Sequence, residues 1–299
     1  MNKKVNLLDL IGNTPMIDLS FLYADSNFSL FAKAEWMNPG GSLKDRPVKR
    51  MLTEAIKTGK LTNNKIIIDS SSGNAGIAYS MIGNALGYEV QIVIPGNASL
   101  ERKQRMISHG TKIIETDPIE GYDEALRHVH QLVDANPDKY FLCDQYSNDN
   151  NWLSHYHGTA EEIILQMEGE FEHFVGGVGT GGSITGIGRK LKEKYPNIKI
   201  HGVRPEVWPG IEGLKPLGSP EDIVPKIFDE SVVDEWIYVT ADEAKFWCGK
   251  IAKKGFFIGQ SSGSYLAACE KVIKSNKSGK IVTIFNDFGD RYFSAGLWS

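Results

Sequence analysis

Short apolar runs alternate with amphipathic segments along most of this chain, and that rhythm restricts the folds open to it. The strand-like runs are Phe31–Ala34, Ile66–Asp69, Val90–Ile94, Lys112–Glu115, Phe174–Gly177, Ile200–Val203 and Ile281–Phe285. Helix-like segments fall between and after them at Arg46–Gly59, Ala75–Leu86, Leu100–His109, Tyr122–Ala135, Asn151–Met167, Ser183–Tyr195, Ala241–Lys254 and Ser262–Ser275. In the first of these Val48, Met51, Leu52, Ala55 and Ile56 recur at the i, i+3, i+4, i+7, i+8 spacing of one helix face. Gly59, Gly87, Gly110 and Gly255 stand where a helix ends in a left-handed residue. The βα alternation predicts an α/β fold with doubly wound, mostly parallel sheets. A length of 299 residues suits two such units, and the polar run at Asn148–Asn151 marks a break between two αβ sets. The proline-rich stretch Pro205–Asp234 has no periodicity and, at about 30 residues, reads as a functional loop.

Composition removes several function classes. With 33 basic against 37 acidic residues the net charge is −4, so there is no cationic excess to neutralise nucleic-acid phosphates. Cys143, Cys248 and Cys269 form no paired motif, and the histidines have no metal-ligand spacing, so neither a disulfide framework nor a metal site is expected. Unpaired thiols read as reduced cysteines in a cytoplasm. The N-terminal stretch is too short and polar for a signal peptide, and no apolar run is long enough to span a membrane.

Strand–loop–helix junctions carry the chemistry. Gly176-Gly-Val-Gly-Thr-Gly-Gly-Ser183 follows a strand and opens a helix, so its amides converge on an anion and Thr180 and Ser183 add hydroxyl donors. The same glycines fit G-x-G-x-x-G, with Glu206 where a ribose-binding acid would stand, which keeps a nicotinamide-dependent dehydrogenase open as an alternative. Asp69-Ser-Ser-Ser-Gly-Asn-Ala-Gly76 offers Ser71, Ser72 and the Asn74 amide to a carboxylate, or to the helix as caps. Asn38-Pro-Gly-Gly-Ser-Leu-Lys-Asp-Arg46 places Lys44 at a helix start, where the macrodipole disfavours its cation and favours a nucleophilic amine. Junctions of this kind converge at the carboxyl ends of parallel strands.

These segments resemble the cysteine synthase family of pyridoxal-phosphate enzymes, fold type II, from Leu8-Ile-Gly-Asn-Thr-Pro15 to Gly289-Asp-Arg-Tyr292. The resemblance implies that Lys44 carries pyridoxal 5'-phosphate, is displaced by the substrate amine and then removes the α-proton. It implies that Gly179, Thr180, Gly181, Gly182 and Ser183 hold the phosphate, that Asn74 bonds the phenolic oxygen, and that Ser261 of Gly259-Gln-Ser-Ser-Gly263 faces the ring nitrogen. Ser71, Ser72, Asn74 and Gln145 would bind the substrate carboxylate. The expected domains are a smaller mobile one, 46–150, with the Asn74 loop, and a larger one, 1–45 plus 151–299, with the phosphate loop. The expected reaction is β-replacement or β-elimination on L-cysteine or an O-activated L-serine, through an α-aminoacrylate intermediate. The partners implied are a small amino acid and sulfide, a thiol, water or an amine as nucleophile, in a homodimer without nucleic acid or membrane.

Three departures bear on substrate. Ala75 stands where the family usually has Thr, which removes one carboxylate-binding hydroxyl. The segment Gln145–Gly158 is similar to enzymes that make 2,3-diaminopropionate from O-phosphoserine and an amine donor, which is the first alternative function. The loop 211–225 corresponds to a lid, and Asp222 there is a candidate general base for water or a thiol, which would run the enzyme toward sulfide release. Lys215 and Arg127 are candidate phosphate clamps for O-phosphoserine. A catalytically silent binding protein is the remaining alternative.

Overall fold

The computed structural model describes residues 5–71, 73–218, 224–294 and 296–298. In chain order the elements are β1 (Met16–Asp18), β2 (Phe28–Ala34), α1 (Asp45–Lys57), β3 (Ile66–Ser70), α2 (Asn74–Ala85), β4 (Val90–Pro95), α3 (Leu100–Ser108), β5 (Lys112–Thr116), α4 (Gly121–Ala135) and β6 (Tyr140–Leu142). They continue as α5 (Asn150–Ser154), α6 (Ala160–Gln166), β7 (His173–Gly177), α7 (Gly182–Lys194), β8 (Lys199–Pro205), β9 (Glu235–Val239), α8 (Ala241–Ala252), α9 (Gln260–Ser275) and β10 (Gly279–Phe285).

Two sheets form. The larger runs β1-β2-β10-β7-β8-β9, parallel throughout except for β1, which pairs antiparallel with β2. The smaller runs β5-β4-β3-β6 and is all parallel. Parallel strands covered on both faces read as continuous apolar runs, and β4 is buried at every position. Helices α8 and α9 pack the larger sheet through Trp247, Ile251, Leu266 and Val272, while α1 and α2 pack the smaller through Met51, Leu52, Ile77 and Ile82. The strands at β1, β6 and β9 are additions to the sequence-based expectation.

The segment expected as one helix over Asn151–Met167 is interrupted. A π turn at His155–Thr159 separates α5 from α6. Buried His155 bonds Thr159 Oγ1 through Nδ1 at 2.9 Å, and burial lowers its pKa to about 3, so it stays neutral. Gly186 of α7 lies against this turn, where a Cβ would stand 2.9 Å from the His155 Cβ. Only a residue without a side chain admits that approach.

A buried ion network anchors the start of α1. Arg46 donates to Glu35 from Nε at 2.6 Å and Nη2 at 2.8 Å, and to Glu162 from both Nη atoms at 2.7 Å. Fully buried Lys33 reaches the same Glu162 at 2.7 Å. Two cations and two carboxylates thus balance, with β2, α1 and α6 held together.

Candidate active site

The carboxyl ends of both sheets face a common cavity of about 370 Å³, within the range of small-molecule sites. The loop after β3 brings Ser71 and Asn74, that after β6 brings Gln145, and that after β7 brings Gly179, Thr180 and Ser183. The segment after β8 adds Glu212 and Lys215, α9 adds Ser261, and the turn before α1 adds Lys44. The structure therefore unites the predicted residues from both sheets. Ser72 and Asp222 lie outside the described residues.

Lys44 immediately precedes α1, as its segment predicts. Its turn is pinned to the end of β10, where the Leu43 N–H donates to the Asn286 carbonyl at 2.9 Å and Ser42 bridges Asp287. Burial lowers the amine's pKa below its usual value of 10.5, opposed by the nearby Asp287 carboxyl. Desolvation is thus the first cause of the lowering, ahead of the helix start that the sequence suggests.

The phosphate-loop candidate closes on itself through Gly181, whose φ of +80° caps α7 in the left-handed region. Asn151, missed in the sequence, donates from Nδ2 to Thr180 Oγ1 at 3.1 Å and to the Gln145 carbonyl at 2.7 Å. One amide therefore ties the anion loop to the Gln145 segment. The polar run there, read as a domain break, was its only sequence signal.

Ser261 is buried, and its Oγ accepts from Asn286 Nδ2 at 2.9 Å. That bond leaves the hydroxyl proton to donate into the cavity. Asn74 opens α2, donates from Nδ2 to Asp287 Oδ2 at 2.7 Å and accepts at Oδ1 from Arg291. At the mouth Arg102 of α3 pairs with Glu212 and lies 5.1 Å above the Tyr292 ring. Lys215 sits 5.0 Å above the Tyr146 ring. Arg127 is elsewhere, exposed on α4 and paired with Glu124 at 2.8 Å. Glu206 accepts from the Ala241 N–H at the start of α8, so it serves as a helix cap away from this cavity.

Residues 7–287 match the family model described as pyridoxal-phosphate dependent enzyme. The cysteine synthase of Aquifex aeolicus is 43% identical over 98% of this chain and 92% of its own length. The chain belongs to the cysteine synthase family of pyridoxal-phosphate dependent enzymes. A solved cysteine synthase from Entamoeba histolytica superposes on this family member with a TM-score of 0.92 at 33% identity, covering 100% of this chain and 92% of the other. A hydrogen sulfide-producing enzyme from Fusobacterium nucleatum gives 0.90 at 35%, covering 97% and 100%. The α/β architecture and the enzyme class are those the sequence implied, and the dehydrogenase reading is set aside.

The residues fit the family's cofactor. A desolvated amine, a glycine nest at a helix start and a hydroxyl fixed as donor share one cavity, the donor set that an aldehyde, a phosphate and a ring nitrogen require. Gly179 lies so close to the chain that a Cβ would stand 2.6 Å from the Gly213 carbonyl oxygen.

Proposed function

We propose that this enzyme catalyses β-replacement or β-elimination on L-cysteine or an O-activated L-serine. The observation that carries the reading is the shared cavity of Lys44, the Gly179–Ser183 loop and a Ser261 hydroxyl oriented by Asn286. Bound at Lys44, pyridoxal phosphate supplies an electron sink for the pair left behind when the α-proton departs.

The chain's own groups do the rest. The Lys44 amine, desolvated and short of its usual basicity, is positioned to take the α-proton and return it. Ser71, Ser72, Asn74 and Gln145 bind the substrate carboxylate, and Gly179, Thr180, Gly181, Gly182 and Ser183 hold the phosphate. Ser261, its Oγ held by Asn286, would donate to the ring nitrogen as a neutral hydroxyl. Asp222 is the base that activates water or a thiol in this reading.

The reading extends to a smaller mobile domain, 46–150, and a larger one, and to a homodimer in the cytoplasm, a reducing setting in keeping with three buried free cysteines. Among the described residues no helix is long and apolar enough to cross a membrane.

Sulfide followed over time with the holoenzyme tests the reaction. One arm holds L-cysteine alone, the other O-acetylserine with sulfide, and each product is weighed by mass spectrometry. Sulfide release with serine or lanthionine gives the eliminating direction, and loss of release in Asp222→Asn gives the base. Sulfide consumed into cysteine gives the synthetic direction. Activity in neither arm, with turnover of O-phosphoserine and glutamate, would replace this reading by 2,3-diaminopropionate synthesis.

A further inference from the structure

Asp287 was invisible as a site residue in the sequence, yet it is fully buried directly behind the cavity. One of its oxygens, Oδ2, accepts from Asn74 Nδ2 at 2.7 Å and from the Tyr292 hydroxyl at 2.6 Å. The other, Oδ1, has no hydrogen-bond partner among the described residues and lies against Gly259, where any Cβ would collide with it. On the far side of the Asn74 amide, Arg291 donates to the Asn74 Oδ1 while also holding the Gly40 carbonyl. The Asn74 side chain is thus gripped at both ends, by an acceptor at its nitrogen and a donor at its oxygen.

An amide gripped this way has one orientation. Its remaining N–H is the donor it can offer to the cavity. We propose that Asp287 is a positioning residue that fixes the Asn74 amide with an N–H toward the cofactor's phenolic oxygen. The inference rests on the reading of Lys44 and Asn74 as cofactor ligands. What Asn74 needs from Asp287 is a hydrogen-bond acceptor, and a neutral acceptor of the same shape serves as well as a carboxylate. Burial raises the Asp287 pKa, in keeping with that. A turned amide would present its carbonyl to the phenolic oxygen, and a proton would then remain on that oxygen. The long-wavelength absorption of the bound cofactor would lose intensity to a shorter-wavelength band.

The experiment compares the visible spectrum and cofactor affinity of the wild-type holoenzyme with Asp287→Asn and Asp287→Leu. Borohydride reduction and mass analysis first locate the cofactor on Lys44, and if it is not there the underlying reading fails, independently of this inference. The result expected is that Asp287→Leu moves intensity to the shorter-wavelength band and weakens cofactor binding about tenfold, the worth of one buried hydrogen bond. Asp287→Asn, which keeps an acceptor and loses only the charge, stays near wild type. Equal effects of Asn and Leu would show that Asp287 acts by its charge on Lys44, and would overturn the proposal. A wild-type spectrum in Asp287→Leu would overturn it as well. If Asp287→Leu does not fold, Asp287→Ala removes the same acceptor with less bulk and is read in the same way.

Discussion

Glu35→Gln isolates the worth of the ion network that anchors α1. Glu35 is fully buried and accepts from Arg46 twice, from Thr14 Oγ1 at 2.6 Å and from Asn38 Nδ2 at 3.0 Å. The substitution keeps its volume and removes one negative charge, leaving Arg46 and Lys33 to share Glu162. Breaking a buried pair on one side costs about 3–5 kcal/mol, because the partner charge stays buried. Glu162 still grips both Nη atoms, so the lower end applies, about 3 kcal/mol. At about 2–4 °C per kcal/mol for chains of this order of size, the melting temperature should fall by about 6–12 °C. Thermal unfolding, with urea denaturation alongside, measures it. Adding Lys33→Met restores the charge balance and should recover part of the loss. A loss below about 1 kcal/mol, the size of an ordinary surface change, would refute the claim that this charge balance matters.

Three further outcomes follow from the same geometry. Burial raises the Glu162 pKa, but the bonds and charges of Arg46 and Lys33 outweigh it and hold it down to about 2, so its stabilisation is complete above its ordinary 4.5 and is lost as pH falls toward 2; the melting temperature should fall more steeply with decreasing pH in wild type than in Glu162→Gln. Gly179→Ala forces a Cβ against the Gly213 carbonyl, a backbone atom that cannot rotate aside, so cofactor affinity measured by fluorescence titration should drop by about tenfold or more. Cys143 and Cys248 are buried, burial pushing the Cys248 thiol up to about 12, so thiol reagents should label neither until the protein unfolds.

The parts legible in the sequence were those encoded locally. Helix stops at glycine, the apolar strands and the loops around Lys44, Asn74 and Gly179 each announce themselves within a dozen residues. The three-residue strands β1 and β6 are too short for any period, and β9 alternates exposed and buried positions in a segment dominated by the proline-rich loop before it. Asp287, Asn286 and Asn151 escaped notice because each acts through a partner far along the chain. The Asn74–Asp287 bond spans 213 residues and the Arg46–Glu162 pair 116. Asn286 and Asp287 do follow directly on a parallel strand, and the rule that ligand sites gather at strand carboxyl ends was the signal that could have found them.

The π turn at His155–Thr159 makes the spacing of this stretch a constraint in its own right. An α-helix advances about 100° per residue, and a wide turn absorbs one residue more than the α-helical path needs. Asn151 lies before it and holds the Gly179–Ser183 loop, while Glu162 lies after it and holds Arg46. Removing a single residue within it would relax the turn to α geometry and keep both partners in phase, whereas removing a second would rotate one of them by about 100° away from its target, whatever the deleted residues were. Substitution here is judged by chemistry, but insertion and deletion are judged by phase. The stretch behaves as a ruler between the Gly179–Ser183 loop and the helix that follows Lys44.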